Sequence, residues 1–396
     1  MQVTGDQHLV KRINKSIVLE TIRRRSPLSR TQISEFTGLN KGTVSSLVNE
    51  LIEENLTFEI GPGKSSGGRK PVMLLFNKDA GFTIGIDLGV NYIIAILTDL
   101  QGNIVQQKKI GIQNDNYINI TSSLKDLIRT LIQEAPPSHY GVVGIGIGVP
   151  GIVDAEGFIL LAPNLGWENV DLKMILAEEF NIPFLIDNEA NAGALGEKLF
   201  GAGKQTSNLI YISVGMGIGA GIIINNELYR GLSGFSGEVG HSIIEVNGRK
   251  CRCGNRGCWE LYASENALFQ LVKSLPSYPF GLKEREIDID QLVYLANGGN
   301  HEIIHSFSQI GEYLGLGVTN IINLFNPELI ILGNQFTIAE NWITNPLLRT
   351  IESRALPFSK KRVTIKFSTL GIKSGALGAS SLAINHFFSK MTVSVE

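Results

Sequence analysis

The stretch from Gly237 to Glu260 reads GEVGHSIIEVNGRKCRCGNRGCWE, and it contains all the cysteines of the chain: Cys251, Cys253 and Cys258. His241 precedes the first of them in the same stretch. Three thiolates and one imidazole complete the tetrahedral ligand shell of a structural zinc ion. The stretch therefore predicts a zinc site with the ligands His241, Cys251, Cys253 and Cys258, in a loop that glycines allow to turn tightly.

Two other interpretations of the cysteines stay open. One disulfide and a free thiol would also use three cysteines, although an odd count and no sign of secretion argue against it. A catalytic zinc ion would need an open coordination position, which four protein ligands do not leave. In the structural interpretation, the carboxylates of Glu238 and Glu260 lie outside the shell and can accept hydrogen bonds from hydroxyl groups.

The length and charge of the chain predict several domains with different partners. A chain of 396 residues exceeds one ordinary domain, so roughly two or three are expected. Residues 1–76 carry 11 Lys and Arg against 7 Asp and Glu, whereas residues 77–396 carry 24 against 30. A basic head on an acidic body is typical of a DNA-binding module joined to another domain, although ordinary charge scatter could give so small a difference.

The N-terminus, MQVTGDQ, has neither the basic nor the apolar region of a signal peptide. The most apolar run, Leu209–Ile224, is rich in glycine and too short to span a bilayer comfortably, so it predicts buried strand and turn. With the few cysteines, these features predict a cytoplasmic protein without a membrane partner.

The first part of the chain shows the pattern of three short helices. Apolar residues at helical spacing predict a first helix that runs to about Arg24, and Ser26-Pro27 ends it. Ser29 is the expected N-cap of a second helix, with Gln32 closing a capping box. Gly38 supplies the turn that follows.

A third helix is predicted after its Asn40 cap, with a buried stripe between Val44 and Ile52. Its opposite face carries short polar side chains and one basic side chain, as a helix needs in order to enter the major groove of DNA. A small helical subdomain with a solvated face would show the same pattern. The DNA contacts predicted in this helical part are Ser29, Lys41, Gly42, Thr43, Ser45, Ser46 and Asn49.

Two predicted strands, Leu56–Ile60 and Pro71–Phe76, flank a basic glycine-rich segment. Two strands around a basic loop make a wing, in which Lys64, Arg69 and Lys70 would contact phosphates or enter a minor groove. The segment can also serve as the linker to the body, and the two roles are compatible. The fold predicted for residues 1–76 is a winged helix-turn-helix.

The body, residues 77–396, repeats one theme. A strand, a glycine turn and a second strand occur around Asp87 and again at Ile210–Ile224, and helices accompany both. This recurrence predicts a duplicated α/β body with a ligand cleft between two lobes. The run Gly215–Gly221 is a weak candidate for dinucleotide binding because it continues into a strand rather than opening a helix.

The motifs of the body, in this order, resemble those of the ROK family of repressors and sugar kinases, which is related to the actin-like sugar-kinase superfamily. The motifs are Asp87-x-Gly89, Val149-Pro-Gly151, Pro163-Asn-Leu-Gly-Trp167, Asn188-Glu-Ala-Asn191, the run Gly215–Gly221, Gly237-Glu-Val-Gly-His241 and Cys251-x-Cys-Gly-x-x-Gly-Cys-x-Glu260. The resemblance extends over essentially the whole chain, head included. It implies a two-lobed body over residues 77–396, with the second lobe from about residue 196 carrying the zinc motif and the C-terminal segment returning to the first lobe.

The resemblance also implies which residues bind a sugar. By position in the motifs, the sugar-binding residues are Asn164, Asn188, Glu189, Glu238, His241 and Glu260. Carboxylates and amides suit the hydroxyl groups of a polyol. One ring nitrogen of His241 can bind zinc while the other contacts the sugar.

Three departures from the kinases of the family bear on catalysis. Those kinases have an aspartate base where this chain has Glu189, which is one methylene longer, and phosphoryl transfer tolerates little misplacement. Val90 and Asn91 stand where the kinases have Gly-Thr, and Met216 stands where they usually have a threonine. Together the departures predict a kinase scaffold that kept its sugar cleft and lost its nucleotide site.

The resulting prediction is a sugar-responsive repressor that binds operator DNA as a homodimer, with xylose as the expected inducer from the resemblance to regulators of the family. An ATP-dependent sugar kinase is the main alternative. A repressor controlled by a protein partner rather than by a sugar is the third.

Overall fold

The structure is a computed structural model that describes residues 7–62, 70–112, 117–278 and 287–391. The elements of the head are α1 (Gln7–Arg25), β1 (Leu28–Ser29), α2 (Arg30–Thr37), α3 (Lys41–Glu53), β2 (Thr57–Pro62) and β3 (Val72–Phe76). The three strands form an antiparallel sheet in the order β1-β3-β2.

The helices of the head begin and end at the predicted capping residues. The Ser29 hydroxyl accepts a hydrogen bond from the backbone N–H of Gln32, whose side chain accepts one from the N–H of Ser29. Gly38 ends α2 with a φ of 72°, which glycine adopts without strain. Asn40 caps α3 by accepting from the Thr43 N–H at 2.8 Å. The predicted capping box, turn and cap are confirmed.

The first half of the body is built on one five-stranded sheet. Its elements are β4 (Phe82–Leu88), β5 (Tyr92–Asp99), β6 (Ile104–Gly111), α4 (Tyr117–Glu134), β7 (Val142–Val149), β8 (Ile152–Val153), β9 (Ile159–Ala162), β10 (Trp167–Val170), α5 (Leu172–Ala177), β11 (Phe184–Asn188) and α6 (Glu189–Leu199). The large sheet has the order β11-β7-β4-β5-β6, and β8, β9 and β10 form a small antiparallel sheet beside it.

The second half is built on another five-stranded sheet, in the order β14-β13-β12-β15-β16. Its elements are β12 (Leu209–Val214), β13 (Ile218–Ile224), β14 (Glu227–Tyr229), α7 (Glu260–Ala263), α8 (Glu265–Lys273), α9 (Ile289–Asn297), α10 (His301–Phe325), β15 (Leu329–Gly333), α11 (Glu340–Arg354), α12 (Pro357–Lys360), β16 (Thr364–Phe367) and α13 (Ser374–Met391).

The two large sheets have the same connectivity. In each, three consecutive strands pair antiparallel, a fourth pairs in parallel with the first of them, and a fifth pairs in parallel with the fourth. Nearly every residue of β4, β5, β12 and β15 is buried, because helices cover these strands. Each half has its own apolar core. The repeat predicted from the sequence is thus a repeat of two equivalent sheets.

Helix α13 crosses back to the first half and packs without intervening side chains. A Cβ atom at Gly146 of β7 would overlap the carbonyl oxygen of Ala379, and one at Gly378 would overlap that of Ala192 in α6. Only glycine permits such close approach of backbones. Helices α6 and α13 and the first sheet therefore form one closely packed unit.

The head shares a core with this unit. Ile384 and Phe388 of α13 pack among the buried apolar residues of the three head helices. The guanidinium of Arg23 lies 4.9 Å from the centre of the Phe388 ring. The Tyr140 hydroxyl donates to the carbonyl of Glu54 at 2.8 Å. The described helices of the chain include none that is long and apolar enough to cross a membrane.

Candidate ligand cleft and metal centre

The predicted metal ligands come together at one point. The metal loop, residues 237–260, folds back on itself through isolated bridges that pair Ile243 with Cys258 and Lys250 with Arg256. Gly257 has a φ of 73°, and a Cβ there would overlap the carbonyl oxygen of Glu245. This tight turn brings the thiols of the three cysteines to the imidazole of His241.

The distances in the cluster fit a tetrahedral metal ion. The ligand atoms of His241, Cys251, Cys253 and Cys258 all lie within 4.8 Å of one another. Cys253 Sγ is 3.7 Å from Cys258 Sγ, and Cys251 Sγ is 3.8 Å from His241 Nδ1. Zinc–sulfur bonds of about 2.3 Å in a tetrahedron separate two sulfurs by roughly 3.8 Å. The four residues could therefore hold a metal ion with little rearrangement.

Two carboxylates extend from the cluster towards a cleft. His241 directs Nδ1 to the cysteines, while its Nε2 lies 3.8 Å from Glu238 Oε2. Glu260 Oε1 is 3.5 Å from His241 Nδ1, and its Oε2 lies beside Gly217. Burial raises the pKa of Glu238, and the Glu260 charge adds to the shift, whereas His241 opposes it.

The cleft lies between the two sheets and has a volume of 320 Å³. The cavity is lined by the residues that directly follow five strands, from both halves of the body: Gly89, Pro150, Glu189, Gly215 and Asn334. Ligands of α/β proteins commonly bind at the carboxyl ends of strands. All six residues predicted to bind a sugar line this one cavity: Asn164, Asn188, Glu189, Glu238, His241 and Glu260.

Asn188 has less capacity for a ligand than its position implies. Its Oδ1 caps α6 by accepting from the N–H groups of Ala190 and Asn191, and its Nδ2 donates to the carbonyl of Gly151 at 2.9 Å. One amide hydrogen remains. Asn188 can therefore offer a sugar a single donor, while its main contact is with the backbone.

A buried network of five polar side chains closes the deep end of the cleft. The Tyr92 hydroxyl lies 2.9 Å from Asp87 Oδ2 and 3.2 Å from Asn334 Oδ1. Asn334 donates to the Ser213 hydroxyl at 3.0 Å, and Ser213 donates to Glu189 Oε1 at 3.2 Å. The network thus connects the first sheet to the second through side chains alone.

Burial shifts the acids of this network towards their neutral forms. It raises the pKa of Glu189 to about 8, with repulsion from Asp87 as the next cause. It raises the pKa of Asp87 to about 7, against the opposing hydrogen bond from Tyr92. Among the described residues, Asp87 Oδ1 has no hydrogen-bond partner. The two acids therefore hold protons at a pH where exposed carboxyl groups are ionised.

Sequence reasoning missed several residues of the cleft. The Arg252 guanidinium donates to Asn164 Oδ1 at 3.3 Å and so bridges the two sides of the opening. Glu265, at the start of α8, is buried at 1% exposure and lines the cavity. Arg252 occupies the position of the Cys-x-Cys motif that the motif leaves unspecified. Its position inside the metal loop was therefore the one sequence feature that could have placed it at the cleft.

The residues predicted to contact DNA share one face of the head only in part. Lys41, Gly42, Ser46 and Asn49 are exposed along α3, and Thr43 and Ser45 are partly exposed. Ser29 is 4% exposed and its hydroxyl is engaged in the cap, so its assignment as a DNA contact is corrected to a capping role. Lys70 is exposed before β3, while Lys64 and Arg69 lie outside the described residues.

Arg30 was not predicted to contribute to this face. Its guanidinium donates to Asn49 Oδ1 at 3.0 Å and to Glu59 Oε1 at 2.8 Å. It therefore fixes the Asn49 side chain from the start of α2 and adds a positive charge beside α3.

Known proteins are similar to this chain both in the body alone and over its whole length. The profile of the ROK family matches residues 83–386. The xylose repressor of Bacillus spizizenii is 49% identical over 383 residues, which are 97% of this chain and 98% of that protein. A crystal structure of a ROK family transcriptional regulator, homologous to the E. coli MLC protein, superposes with a TM-score of 0.78 at 28% identity, covering 96% of this chain and 99% of that one.

A kinase of the same fold is also similar. The ROK family glucokinase of Streptomyces griseus, solved with glucose and AMPPNP, is 31% identical and superposes with a TM-score of 0.70. The match covers 77% of this chain and 100% of the glucokinase chain. Regulators and kinases thus share the body seen here, with its two equivalent sheets and the cleft between them. The chain belongs to the ROK family.

Proposed function

We propose that this protein is a sugar-responsive transcriptional repressor that binds operator DNA through its head and leaves it when a sugar occupies the cleft. The observation that carries the proposal is the combination in one chain of an exposed polar helix face on a small helical head and a cleft lined by six hydroxyl-binding side chains. The similarity to a xylose repressor over nearly the full length supports both parts. It also makes xylose the first sugar to test.

The proposed DNA-binding unit is a winged helix-turn-helix. Helices α2 and α3 meet at the Gly38 turn, and α3 presents Lys41, Ser46 and Asn49 to solvent as a recognition helix would. The antiparallel pair β2 and β3 would form the wing, with Lys70 near its base. In a homodimer, two such helices about 34 Å apart would read two half-sites of an operator.

The proposed sugar site uses the acids next to the metal loop. Glu238 and Glu260 would accept hydrogen bonds from hydroxyl groups, and His241 Nε2 faces away from the cysteines towards the same space. Asn164 would close over the sugar with Arg252, since the two already meet across the opening. Two carboxylate acceptors and one imidazole N–H donor at one wall suit the adjacent hydroxyl groups of a pyranose.

Zinc is the ion that we propose for the metal cluster. Three thiolates and one imidazole at tetrahedral distances are the preferred donors of structural zinc. Cys251, Cys253, Cys258 and His241 Nδ1 would hold it, and the ion would fix the shape of the metal loop and the tautomer of His241. The contribution of zinc to sugar binding would therefore be structural.

The route from the cleft to the head would run along two helices. Helix α6 begins at Glu189 in the cleft, and the residues at its other end, Leu199 and Phe200, line a cavity of 350 Å³ together with Arg23 and Arg24 of the head. Helix α13 begins with Gly375 against Asp87 and reaches the head core at Phe388. A sugar that binds two lobe arrangements with different affinity would shift the head through this pair.

A sugar kinase is the second candidate, because the similar glucokinase binds both glucose and AMPPNP. The Tyr92 side chain argues against it. The Tyr92 ring folds over Gly89, where an added Cβ would lie 2.6 Å from it, and the Tyr92 hydroxyl bonds to Asp87. The turn that would cradle phosphate is thus covered by the protein's own side chain. A coupled ADP assay with Mg-ATP and several sugars should show no turnover, and ordinary kinase rates would overturn the repressor proposal.

The decisive experiment is a mobility shift with DNA from upstream of a pentose-utilisation operon. The protein should retard this DNA, and xylose should release it, whereas an unrelated DNA of the same length should bind only weakly and with strong salt dependence. Calorimetry with xylose and glucose separates a third possibility: specific DNA binding together with no heat from any sugar would indicate control by a protein partner instead.

A further inference from the structure

The cleft is larger than the proposed monosaccharide site. Beyond the residues of that site, the lining of the cavity continues to Val90, Asn91, Met216 and Gln335. The tip of the β12–β13 hairpin, Gly215–Gly217, divides this space.

The two sides of the hairpin tip face different surroundings. On one side, a Cβ at Gly217 would lie 2.9 Å from Glu260 Oε2 and 3.8 Å from Asn164 Nδ2, so this side belongs to the proposed sugar site. On the other side, a Cβ at Gly215 would lie 3.2 Å from Asn334 Nδ2, and the Gly215 carbonyl accepts from the N–H of Glu265. The second side is a further part of the same cavity, which we name the outer subsite: Val90, Asn91, Met216, Glu265 and Gln335.

One buried polar atom of the outer subsite lacks a partner. Glu265 is 1% exposed, and its Oε2 makes no hydrogen bond within the described part of the chain. An unpaired buried carboxyl oxygen costs free energy, which a hydroxyl group of a ligand would recover. Burial, with Asp288 and Asp290 nearby, raises the pKa of Glu265 to about 7. The group can therefore accept a hydrogen bond when ionised or donate one when protonated.

None of the five side chains that define the outer subsite is a cation that could bind a phosphate. The guanidinium of Arg252 reaches Asn164 at the sugar side, and Lys109, whose charge acts on Glu265, is not among the residues that line the cavity. The other side chains of the outer subsite are two amides, an isopropyl group and a thioether. Amides, a carboxyl group and small apolar surfaces are the partners of a neutral sugar ring.

We propose that the outer subsite accepts the second ring of a neutral disaccharide, so that the cleft binds a glycosidically linked pentose pair as well as the monosaccharide. The first ring would occupy the side of Glu238, His241 and Glu260, and the second would lie between Val90 and Met216 with a hydroxyl group on Glu265. This inference rests on the proposed sugar-binding function and extends its ligand class.

Calorimetry on the full metal-loaded chain tests the inference with xylose, xylobiose and Mg-ADP. Xylobiose should bind at least as tightly as xylose. Met216→Trp, which fills the outer subsite, should weaken xylobiose at least about tenfold more than it weakens xylose. Val90→Trp fills the outer subsite from the facing turn. It replaces Met216→Trp, with the same expected result, if that variant does not fold. The matched control is Met174→Trp, at a methionine that is 61% exposed on α5, and it should change neither affinity.

Three results would overturn the inference, and they differ in what they say about the sugar-binding function. Binding of xylose without binding of xylobiose would show that the outer subsite accepts no sugar ring, and the proposed function would stand. Binding of neither sugar would contradict both the outer subsite and the proposed sugar-binding function. Competition between Mg-ADP and xylobiose would show that this side of the cleft is a nucleotide site.

Discussion

The metal loop and the buried network both hold carboxyl groups at or beside the same cleft, but they hold them differently. In the metal loop, Glu238 and Glu260 are positioned by backbone that the cysteine cluster folds, and their neighbours are each other and His241. In the buried network, Asp87 and Glu189 are bonded to hydroxyl groups from both halves of the body.

In the proposed function the loop acids bind the ligand. Glu238 lies beside His241, and the Cys251 thiol, which donates to Glu260 at 3.2 Å, would lose its proton on binding a metal ion. The network acids, Asp87 and Glu189, instead accept from the hydroxyl groups of Tyr92 and Ser213, and the Tyr92 ring lies over Gly89. The network thus covers the Gly89 turn, while the remainder of the cleft stays open to a ligand.

Removal of one thiol from the metal loop should have the largest effect. Cys258→Ser should abolish stoichiometric metal binding and lower xylose affinity by about a hundredfold or more, because the fold of a closed zinc site depends on its full ligand set. Metal analysis and calorimetry measure the two effects. The exposed neighbour Lys250 supplies the control: Lys250→Ser should keep the metal and the affinity. A metal-free Cys258→Ser protein with normal xylose affinity would separate the sugar site from the metal.

Neutralising one acid of the metal loop should have the next largest effect. Glu238→Gln should weaken xylose binding by about 1.5–3 kcal/mol, the usual contribution of a hydrogen bond to a charged acceptor. The loop offers a matched control in Glu245, which is exposed and lines a different cavity. Calorimetry should find Glu245→Gln close to the wild type, and equal losses in both variants would mean that Glu238 does not contact the sugar.

The sequence predicted local features and the metal loop well. Capping residues such as Ser29, Gln32 and Asn40 act within three or four residues of the chain, so their pattern is visible in the sequence. The metal ligands lie within one short stretch, and thiols with imidazole have few other reasons to cluster. The family motifs then predicted the other cleft residues, including Asn164, which lies far from the metal loop in sequence.

The buried network could not be predicted in this way. Tyr92 and Asn334 are 242 residues apart, and their contact depends on how the two sheets face each other. The shared core of the head and α13 has the same origin, since Phe388 meets Arg23 only after the chain has crossed the body twice. Ser29 shows the opposite error: a polar residue at the start of α2 is predicted from the sequence to contact DNA, but the cap buries it.

Removing the Tyr92 hydroxyl from the buried network should affect stability more than sugar binding. Tyr92→Phe removes the hydroxyl that lies 2.9 Å from Asp87 Oδ2, while Asn334 Oδ1 keeps the Gln335 N–H as a donor, and the loss should lower the free energy of unfolding by about 1–3 kcal/mol. Urea denaturation measures the loss. Tyr294→Phe, at a tyrosine that is 77% exposed, should cost almost nothing. A Tyr92→Phe protein of normal stability and much weaker xylose affinity would contradict the division of the cleft into loop acids and network acids.

The smallest effect should be a change in pH dependence. The pKa of Glu189 is raised from 4.5 to about 8 in the folded protein, so the folded state holds this proton more tightly than the unfolded state. Its stabilising contribution is then complete below pH 4.5 and is lost as the pH rises through about 8.

Glu189→Gln keeps the shape of the neutral side chain and removes its titration. Between these limits its free energy of unfolding should fall less steeply with pH than that of the wild type, by under about 1.4 kcal/mol per pH unit. Since the metal ligands titrate equally in both proteins, the difference isolates Glu189. Glu227→Gln, at an exposed carboxylate, should follow the wild-type slope, and identical slopes in all three proteins would mean that Glu189 is ionised within the network.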